Sequence, residues 1–253
     1  MGVVLENQLE DLHDRNKKVQ AIALELLESY GATIKVISLP LLKYILPIHY
    51  SLVPSEAASN LARIDGIRYG YQPELQDEEK PGQSALFNYI ERSKSSSFGI
   101  NVKRRIMIGN FLMSSRENMI DLNQNLIKAQ KLRQLISNQY IYEMRKHNID
   151  FIISPTSFKP MPTKLKDLLE ASDEGSDISP VAEYKQDYFT VGANSLGVPA
   201  INIPFFESKD AATKYNGFPT SIRLQGFFGE DFHLLRISQK IERIFQENGM
   251  SVQ

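Results

Sequence analysis

Apolar residues recur at helical spacing near the start of the chain, which predicts an amphipathic helix over residues 7–30. Gly31 is a suitable C-cap for this helix, and the stretch 33–38 that follows predicts a strand. The apolar positions are Leu12, Val19, Ile22, Ala23, Leu26 and Leu27.

Helical and strand patterns alternate along the rest of the chain. Pro47 and Pro54 interrupt the apolar stretch 41–64, so we predict a turn followed by a helix that begins near Ser55. Strands separated by helices favour an α/β fold with a mixed, largely parallel sheet that is covered by helices on both faces. The further predicted helices are 87–92 with its flanks, 102–114, 121–146 and 233–246, and the further strands are 150–154, 200–205 and 220–227.

The length of 253 residues and the hydrophobic content of 42% suffice for one large α/β domain, or for a substantial piece of a larger one. We treat residues 1–253 as a single domain. Two polar stretches, 70–83 and 157–180, predict loops, because segments rich in proline, glycine, serine and acidic residues cannot offset their ordering entropy by burial.

Charge and composition exclude several classes of function. Lysine and arginine number 29 and the acidic residues 30, and the net charge of −1 predicts no general attraction to nucleic acid or anionic lipid. Any RNA contact is therefore expected to be local or made by a partner. The absence of cysteine excludes disulfides and thiolate chemistry, and the four histidines show no metal-ligand spacing.

Several targeting and nucleotide-binding signals are absent from the sequence. No apolar run reaches the roughly 18 residues of a membrane-spanning helix. The acidic residues within 1–15 are atypical of organellar transit peptides, so no targeting segment is visible. The nucleophile turn of Ser/His/Asp hydrolases, the dinucleotide-binding glycine motif and the P-loop are missing as well.

Two local clusters carry candidate chemistry. The serines 95–97 have no basic partner placed to activate a hydroxyl, so we interpret them as a helix-ending loop. Lys103, Arg104 and Arg105 lie on a predicted, partly buried helix, where a guanidinium is costly unless it meets an anion. Consecutive helical residues point about 100° apart, so the three cannot share one target. One can face a site while the others pair structurally, but the pattern is equally consistent with a solvated face.

Segment 55–70, SEAASNLARIDGIRYG, is the most specific of six motifs that follow one another in a fixed order. Together they resemble the A subunits of glutamyl-tRNA(Gln) amidotransferases, one branch of the amidase-signature family. The resemblance covers about residues 31–226 and implies the C-terminal half of the amidase-signature fold. The other motifs are FGINVKRRIMIG at 98–109, AQK at 129–131 with Arg133, SPT at 154–156, FTVGANSLGVPAINIP at 189–204 and LQG at 224–226.

One motif departs from the family pattern. Members commonly read Gly-Leu-Pro-Val-Gly-Leu-Gln near their end, whereas residues 217–225 here read GFPTSIRLQ. The second glycine is replaced by a bulkier residue, which indicates a divergent, organellar member. We therefore expect a mitochondrial matrix location.

The resemblance implies a role in binding glutamine. In the family, a lysine and two serines of the first half, one of them in a cis peptide, release ammonia from the glutamine side chain. None of the three can be placed in this chain, so we expect no catalytic residue and no glutaminase activity from the chain alone. The family motifs map onto Arg105 for the glutamine carboxylate, Asp187 for its ammonium group and Tyr50 for a further polar contact, with Arg104 as the fallback for Arg105.

Structural alternatives remain open for these positions. Asp187 is also consistent with a helix N-cap or a surface charge, and Tyr50 with simple packing. The dense polar residues of segment 55–70 are interpreted as structural, because such groups often join a loop and a helix through internal hydrogen bonds. They are Glu56, Asn60, Arg63, Asp65, Arg68 and Tyr69.

The resemblance also implies partners. In the family, ammonia passes to the B subunit, which uses ATP and Mg²⁺ to convert glutamate on misacylated tRNA(Gln) to glutamine, so the complex is a carbon–nitrogen ligase. The implied partners are the B subunit, tRNA(Gln) mainly through that subunit, a small third subunit, and glutamine, with no cofactor in this chain and no membrane. Two alternatives stay open: a truncated paralogue that acts as a binding or scaffold module, and half of another amidase-signature amidohydrolase.

Overall fold

The computed structural model describes residues 1–7, 12–74, 84–114, 122–159, 184, 186–207 and 217–250. They divide into two compact units. The first unit comprises Met1–Leu46 and Arg133–Gln253, and the second comprises Pro47–Leu132. Each unit is described by itself.

A five-stranded sheet forms the centre of the first unit. Its strands are β1 (Gly2–Val4), β2 (Lys35–Ile37), β3 (Ile152–Pro155), β4 (Ala200–Phe205) and β5 (Thr220–Gln225), and their order is β2-β1-β3-β5-β4. Strand β1 runs parallel to β2 and β3, whereas β5 runs antiparallel to β3 and β4. The sheet is therefore mixed, as predicted, but its two parallel and two antiparallel pairings do not make it largely parallel.

Seven α-helices and two short 3₁₀ turns complete the part of the chain that the structure describes. No helix there is long and apolar enough to cross a membrane. The α-helices are α1 (Asp14–Ser29), α2 (Ile45–Leu61), α3 (Ala85–Ser97), α4 (Ile100–Met113), α5 (Leu122–Lys146), α6 (Tyr188–Leu196) and α7 (Asp231–Glu247), and the 3₁₀ turns are Leu5–Asn7 and Pro40–Tyr44.

Helices cover both faces of the sheet, as the sequence predicts. Successive side chains of a strand point to opposite faces. Val3 and Ile153 accordingly lie in one hydrophobic core with residues of α1 and α7, while Val4 and Ile152 lie in a second core with residues of α5. The two cores hold the sheet between its helices, and hydrophobic burial on both faces stabilises it.

Two elements of the first unit are absent from the sequence prediction. Strand β1 has only three residues, too few to show a period, and it forms because β2 and β3 pair with both of its edges. Helix α6 contains Gly192 and the β-branched Thr190 and Val191, which are weak helix formers. Its burial of Phe189, Val191 and Ala193 explains why it is helical nonetheless.

The predicted start of a helix near Ser55 is wrong, because α2 begins at Ile45 and continues through Pro54. Pro47 falls in the first turn, where backbone amides have no intrahelical acceptor. Pro54 is buried, and α4 lies directly against it. Tertiary packing therefore outweighs the local penalty of a helical proline, which is about 3 kcal/mol.

The two predicted loops are described only at their edges. Residues 70–74 and 157–159 contain neither helix nor strand, in agreement with the prediction. The remainder of each loop, 75–83 and 160–180, lies outside the described residues.

The α2–α4 contact yields a test of packing. A Cβ on Gly109 would overlap the carbonyl oxygen of Pro54 and lie 2.8 Å from the Cβ of Ala58. We expect Gly109→Ala to lower the free energy of unfolding by about 1–3 kcal/mol, the usual effect of overpacking. Gly99→Ala, just before the same helix, is the matched control, because no heavy atom lies within 4 Å of its added Cβ. A loss at Gly109 no larger than that at Gly99, measured by urea denaturation, would contradict the prediction.

Candidate functional site

The three consecutive cations of α4 have different surroundings. The Lys103 ammonium donates to the carbonyl of Ser95 at 2.7 Å, and the Arg104 guanidinium donates to Oδ1 of Asn101 at 3.4 Å. Arg105 is exposed and has neither a hydrogen-bond nor an ion-pair partner among the described residues. Two cations therefore serve local structure, while the third remains available to an anion.

Tyr50 lies on α2, in the same unit as Arg105, and is half-buried. Its ring meets that of His49 edge-on, with 5.4 Å between the ring centroids and 83° between the planes. Packing thus accounts for part of its surroundings. The polar contact to a ligand stays a prediction.

Asp187 lies in the first unit at the N-cap of α6 and is half-buried. Its backbone carbonyl accepts from the amides of Thr190 and Val191, both at 2.9 Å. Its carboxylate makes no capping hydrogen bond to the helix. Asp187 therefore takes the N-cap position without a side-chain capping bond, and its carboxylate lies at a helix N-terminus, where negative charge is favoured.

The two residues after Asp187 anchor its turn in an aromatic cluster. The Tyr188 and Phe189 rings lie 6.0 and 5.1 Å from the ring of Phe158, measured between centroids. The Tyr188 hydroxyl also donates to the carbonyl of Glu6 at 3.4 Å. These contacts anchor the two residues that follow Asp187.

A buried arginine supports the same turn from the sheet. Arg223 of β5 is only 5% exposed, and its guanidinium donates to the carbonyls of Phe189 and Thr190. Burial lowers the pKa of Arg223 to about 10, so the side chain still carries its charge at neutral pH. No carboxylate within the described residues pairs with it. Sequence reasoning missed Arg223, although it lies in the motif, 217–225, that departs from the family pattern.

Three of the family-like motifs meet in the first unit. Residues 154–156 end β3, residues 189–204 include most of α6 and nearly all of β4, and residues 224–226 end β5. The Ser221 hydroxyl of β5 donates to Oγ1 of Thr156, the residue that follows β3, at 2.8 Å. The structure thus gathers these motifs around the antiparallel strands beside α6.

The polar motif of the second unit forms an ordered turn. Oδ1 of Asp65 accepts from the amides of Ile67 and Arg68 at 2.8 and 3.1 Å, and these bonds lower the pKa of the carboxyl group. Gly66 adopts a positive φ of 78°, and its carbonyl accepts from the Tyr89 hydroxyl. The structural interpretation is confirmed for Asp65.

The serines 95–97 form the last turn of α3 and not the predicted helix-ending loop. Each hydroxyl donates to the carbonyl four residues earlier, at 2.6 Å in all three cases. Such bonds to the preceding turn are usual for helical serines. They use the hydroxyl protons locally, and the absence of a nucleophile in this cluster stays a prediction.

Sequence comparison places this chain among known proteins. A family model described as Amidase matches residues 1–235. The mitochondrial A subunit of the glutamyl-tRNA(Gln) amidotransferase of Emericella nidulans is 31% identical, over 96% of this chain and 49% of its own length. The corresponding protein of Sulfurisphaera tokodaii is 35% identical, over 87% of this chain and 41% of its own length. The chain thus spans half or less of the length of these relatives.

Solved structures agree in fold. The chain aligns over its full length with 45% of the crystal structure of the glutamyl-tRNA(Gln) amidotransferase A subunit from Thermotoga maritima, with a TM-score of 0.62 and 27% identity. A crystal structure described as an amidase aligns with 97% of the chain, with a TM-score of 0.65 and 18% identity, which shows a shared fold. The predicted fold class is therefore confirmed.

The Asp65 turn provides a local test. Asp65→Ala removes the acceptor of two backbone amides, so we expect faster hydrogen exchange at Ile67 and Arg68, while exchange in α4 stays unchanged. Asp65→Asn, which keeps the side-chain oxygen, is the control and should preserve most of the protection. Because the folded pKa of Asp65 is lowered, its contribution to turn stability is complete above the ordinary carboxyl pKa and is lost as pH falls through the lowered value. Equal protection in the alanine variant would contradict this account.

Proposed function

This chain belongs to the amidase family, and on that premise we propose that it forms the glutamine-binding part of a glutamyl-tRNA(Gln) amidotransferase A subunit. The observation that carries the proposal is the exposure of Arg105 and its lack of a described partner. Its guanidinium is exposed and without a described partner, whereas its neighbours Lys103 and Arg104 already donate to local acceptors. Those contacts make Arg104 the weaker candidate of the two arginines.

The chemistry of free glutamine suits the proposed contacts. Glutamine is a zwitterion, so its recognition requires a cation for the carboxylate and an anion for the ammonium group. Arg105 can donate two parallel hydrogen bonds to a carboxylate, and Asp187 can accept charge-assisted bonds from an ammonium group. The well-anchored turn that carries the Asp187 carboxylate supports its role, and the Tyr50 hydroxyl can make a further polar contact.

The proposed division of labour leaves the chemical step outside this chain. The resemblance assigns ammonia release to a lysine and two serines in the part of the relatives that this chain does not cover. Within the proposal, ammonia passes to the B subunit, which uses ATP and Mg²⁺ and provides most of the tRNA(Gln) contacts, and a small third subunit completes the complex. The net charge of −1 supports the assignment of tRNA to a partner. The mitochondrial relative supports a location in the mitochondrial matrix.

Glutamine binding tests the role of Arg105. We expect Arg105→Ala to weaken the binding of L-glutamine by at least about tenfold, because truncating one partner of a hydrogen-bonded charge pair costs about 2–5 kcal/mol where the pair is desolvated. Arg104→Ala is the matched control and should change the dissociation constant little. Isothermal titration calorimetry measures both. Unchanged affinity in the Arg105 variant would refute its role, and no binding to the unmodified chain would favour a scaffold function.

Ammonia release tests the division of labour. We expect the purified chain to release no ammonia from L-glutamine, because the serines 95–97 use their hydroxyl protons within α3 and no other nucleophile is proposed. A coupled glutamate dehydrogenase assay detects the product. Sustained turnover that persists in the Ser95→Ala, Ser96→Ala and Ser97→Ala variants would reveal a nucleophile elsewhere in the chain.

A further inference from the structure

We propose that Arg223 is the positioning residue of the Asp187 turn, and that it sets the direction in which the Asp187 carboxylate meets the ammonium group of the ligand. The inference rests on the proposed glutamine-binding role of Asp187. Arg223 itself touches no ligand in this proposal. It acts through the main chain of two residues in the first turn of α6, just after Asp187.

The position of Arg223 suits this role. Strand β5 lies between β3 and β4 and is paired on both edges, so two ladders of hydrogen bonds fix the backbone at Arg223. Two guanidinium nitrogens donate to the carbonyls of Phe189 and Thr190, which are consecutive along the chain. A planar guanidinium can hold two such acceptors at once, which an ammonium group cannot do with the same geometry. The forked guanidinium therefore fixes the orientation of the turn as well as its distance from the strand.

The burial of Arg223 indicates that this side chain serves to orient the turn and not to stabilise the fold in general. A guanidinium out of water is costly, and no carboxylate among the described residues compensates it. The lowered pKa of about 10 reflects this desolvation. An apolar residue could fill the same space without removing a charge from water. What the arginine supplies and an apolar residue does not is the pair of bonds to the Asp187 turn.

Other contacts hold the turn independently of the sheet. The Tyr188 and Phe189 rings pack against Phe158, and the Thr190 hydroxyl donates to the carbonyl of Asp187 at 2.9 Å. These contacts do not involve Arg223, so α6 should still form without the guanidinium. Loss of Arg223 is therefore expected to loosen the beginning of α6 selectively.

Two ligands separate a positioning role from a structural one. L-glutamine carries the ammonium group that Asp187 would bind, whereas glutaramic acid is the same molecule without it. In the full chain, we expect Arg223→Gln to weaken L-glutamine binding by about tenfold, as expected when the geometry of one charge-assisted hydrogen bond is lost, and to leave glutaramic acid binding unchanged. Arg223→Lys keeps the charge without the fork, so it should fold and show an intermediate loss.

Arg15 offers the matched control, because it is 3% exposed and lies in the same unit. Its guanidinium pairs with Glu207 at 2.8 Å and also donates to the carbonyl of Phe218. We expect Arg15→Gln to lower the melting temperature but to change the affinities for both ligands by the same factor. Equal losses for the two ligands in the Arg223 variants as well would show a merely structural role and overturn the proposal.

Hydrogen exchange tests the same role without any ligand. The amides of Thr190 and Val191 donate to the carbonyl of Asp187. We expect Arg223→Gln to raise their exchange rates by about tenfold, corresponding to the loss of about one net hydrogen bond, while amides of α7 stay protected. Unchanged exchange would overturn the proposal whatever the ligand data show. Faster exchange in a chain that binds no L-glutamine would refute the proposed function and the ligand-directed part of this inference, and would leave mechanical support of the turn established.

Discussion

Strand β5 has to satisfy two different surroundings at once, because successive side chains of a strand point to opposite faces. Ile222 and Leu224 are fully buried in the core formed with α1 and α7. Arg223, between them, points away from that core and reaches the start of α6. A slip of one residue in the pairing of β5 would carry the guanidinium into the apolar core. The register of this strand therefore determines both the core and the support of Asp187.

Elements with a clear period could be predicted from the sequence, and elements that depend on tertiary partners could not. The amphipathic pattern of α7 and the strand pattern of β4 required no knowledge of their surroundings. Strand β1 exists because two neighbours pair with it, and α6 exists because its apolar side chains are buried despite weak helix formers. The prolines of α2 led to a wrong helix start, because burial of Pro54 against α4 outweighs the local tendency of proline to interrupt a helix.

The candidate site shows the same division. Arg105 could be singled out because helix geometry separates three neighbouring cations, and the structure then showed that the other two have local acceptors. The choice between helix cap and ligand at Asp187 depends on where the carboxylate points, which sequence spacing does not encode. Arg223 was missed because its significance lies in a contact with a residue 34 positions earlier in the chain. The alternating pattern of a strand does not indicate such a contact.

The close approach of α2 and α4 affects more than their packing. Tyr50 lies four residues before Pro54, and Arg105 lies four residues before Gly109, so each is one helical turn from the contact and on the same side of its helix. Gly109 has no Cβ and therefore permits this close approach, so the rotation of both helices about their axes depends on it. The directions of the Tyr50 and Arg105 side chains thus depend on the absence of a Cβ at Gly109. In such an arrangement, the affinity of a site is decided partly at a position that no ligand ever touches.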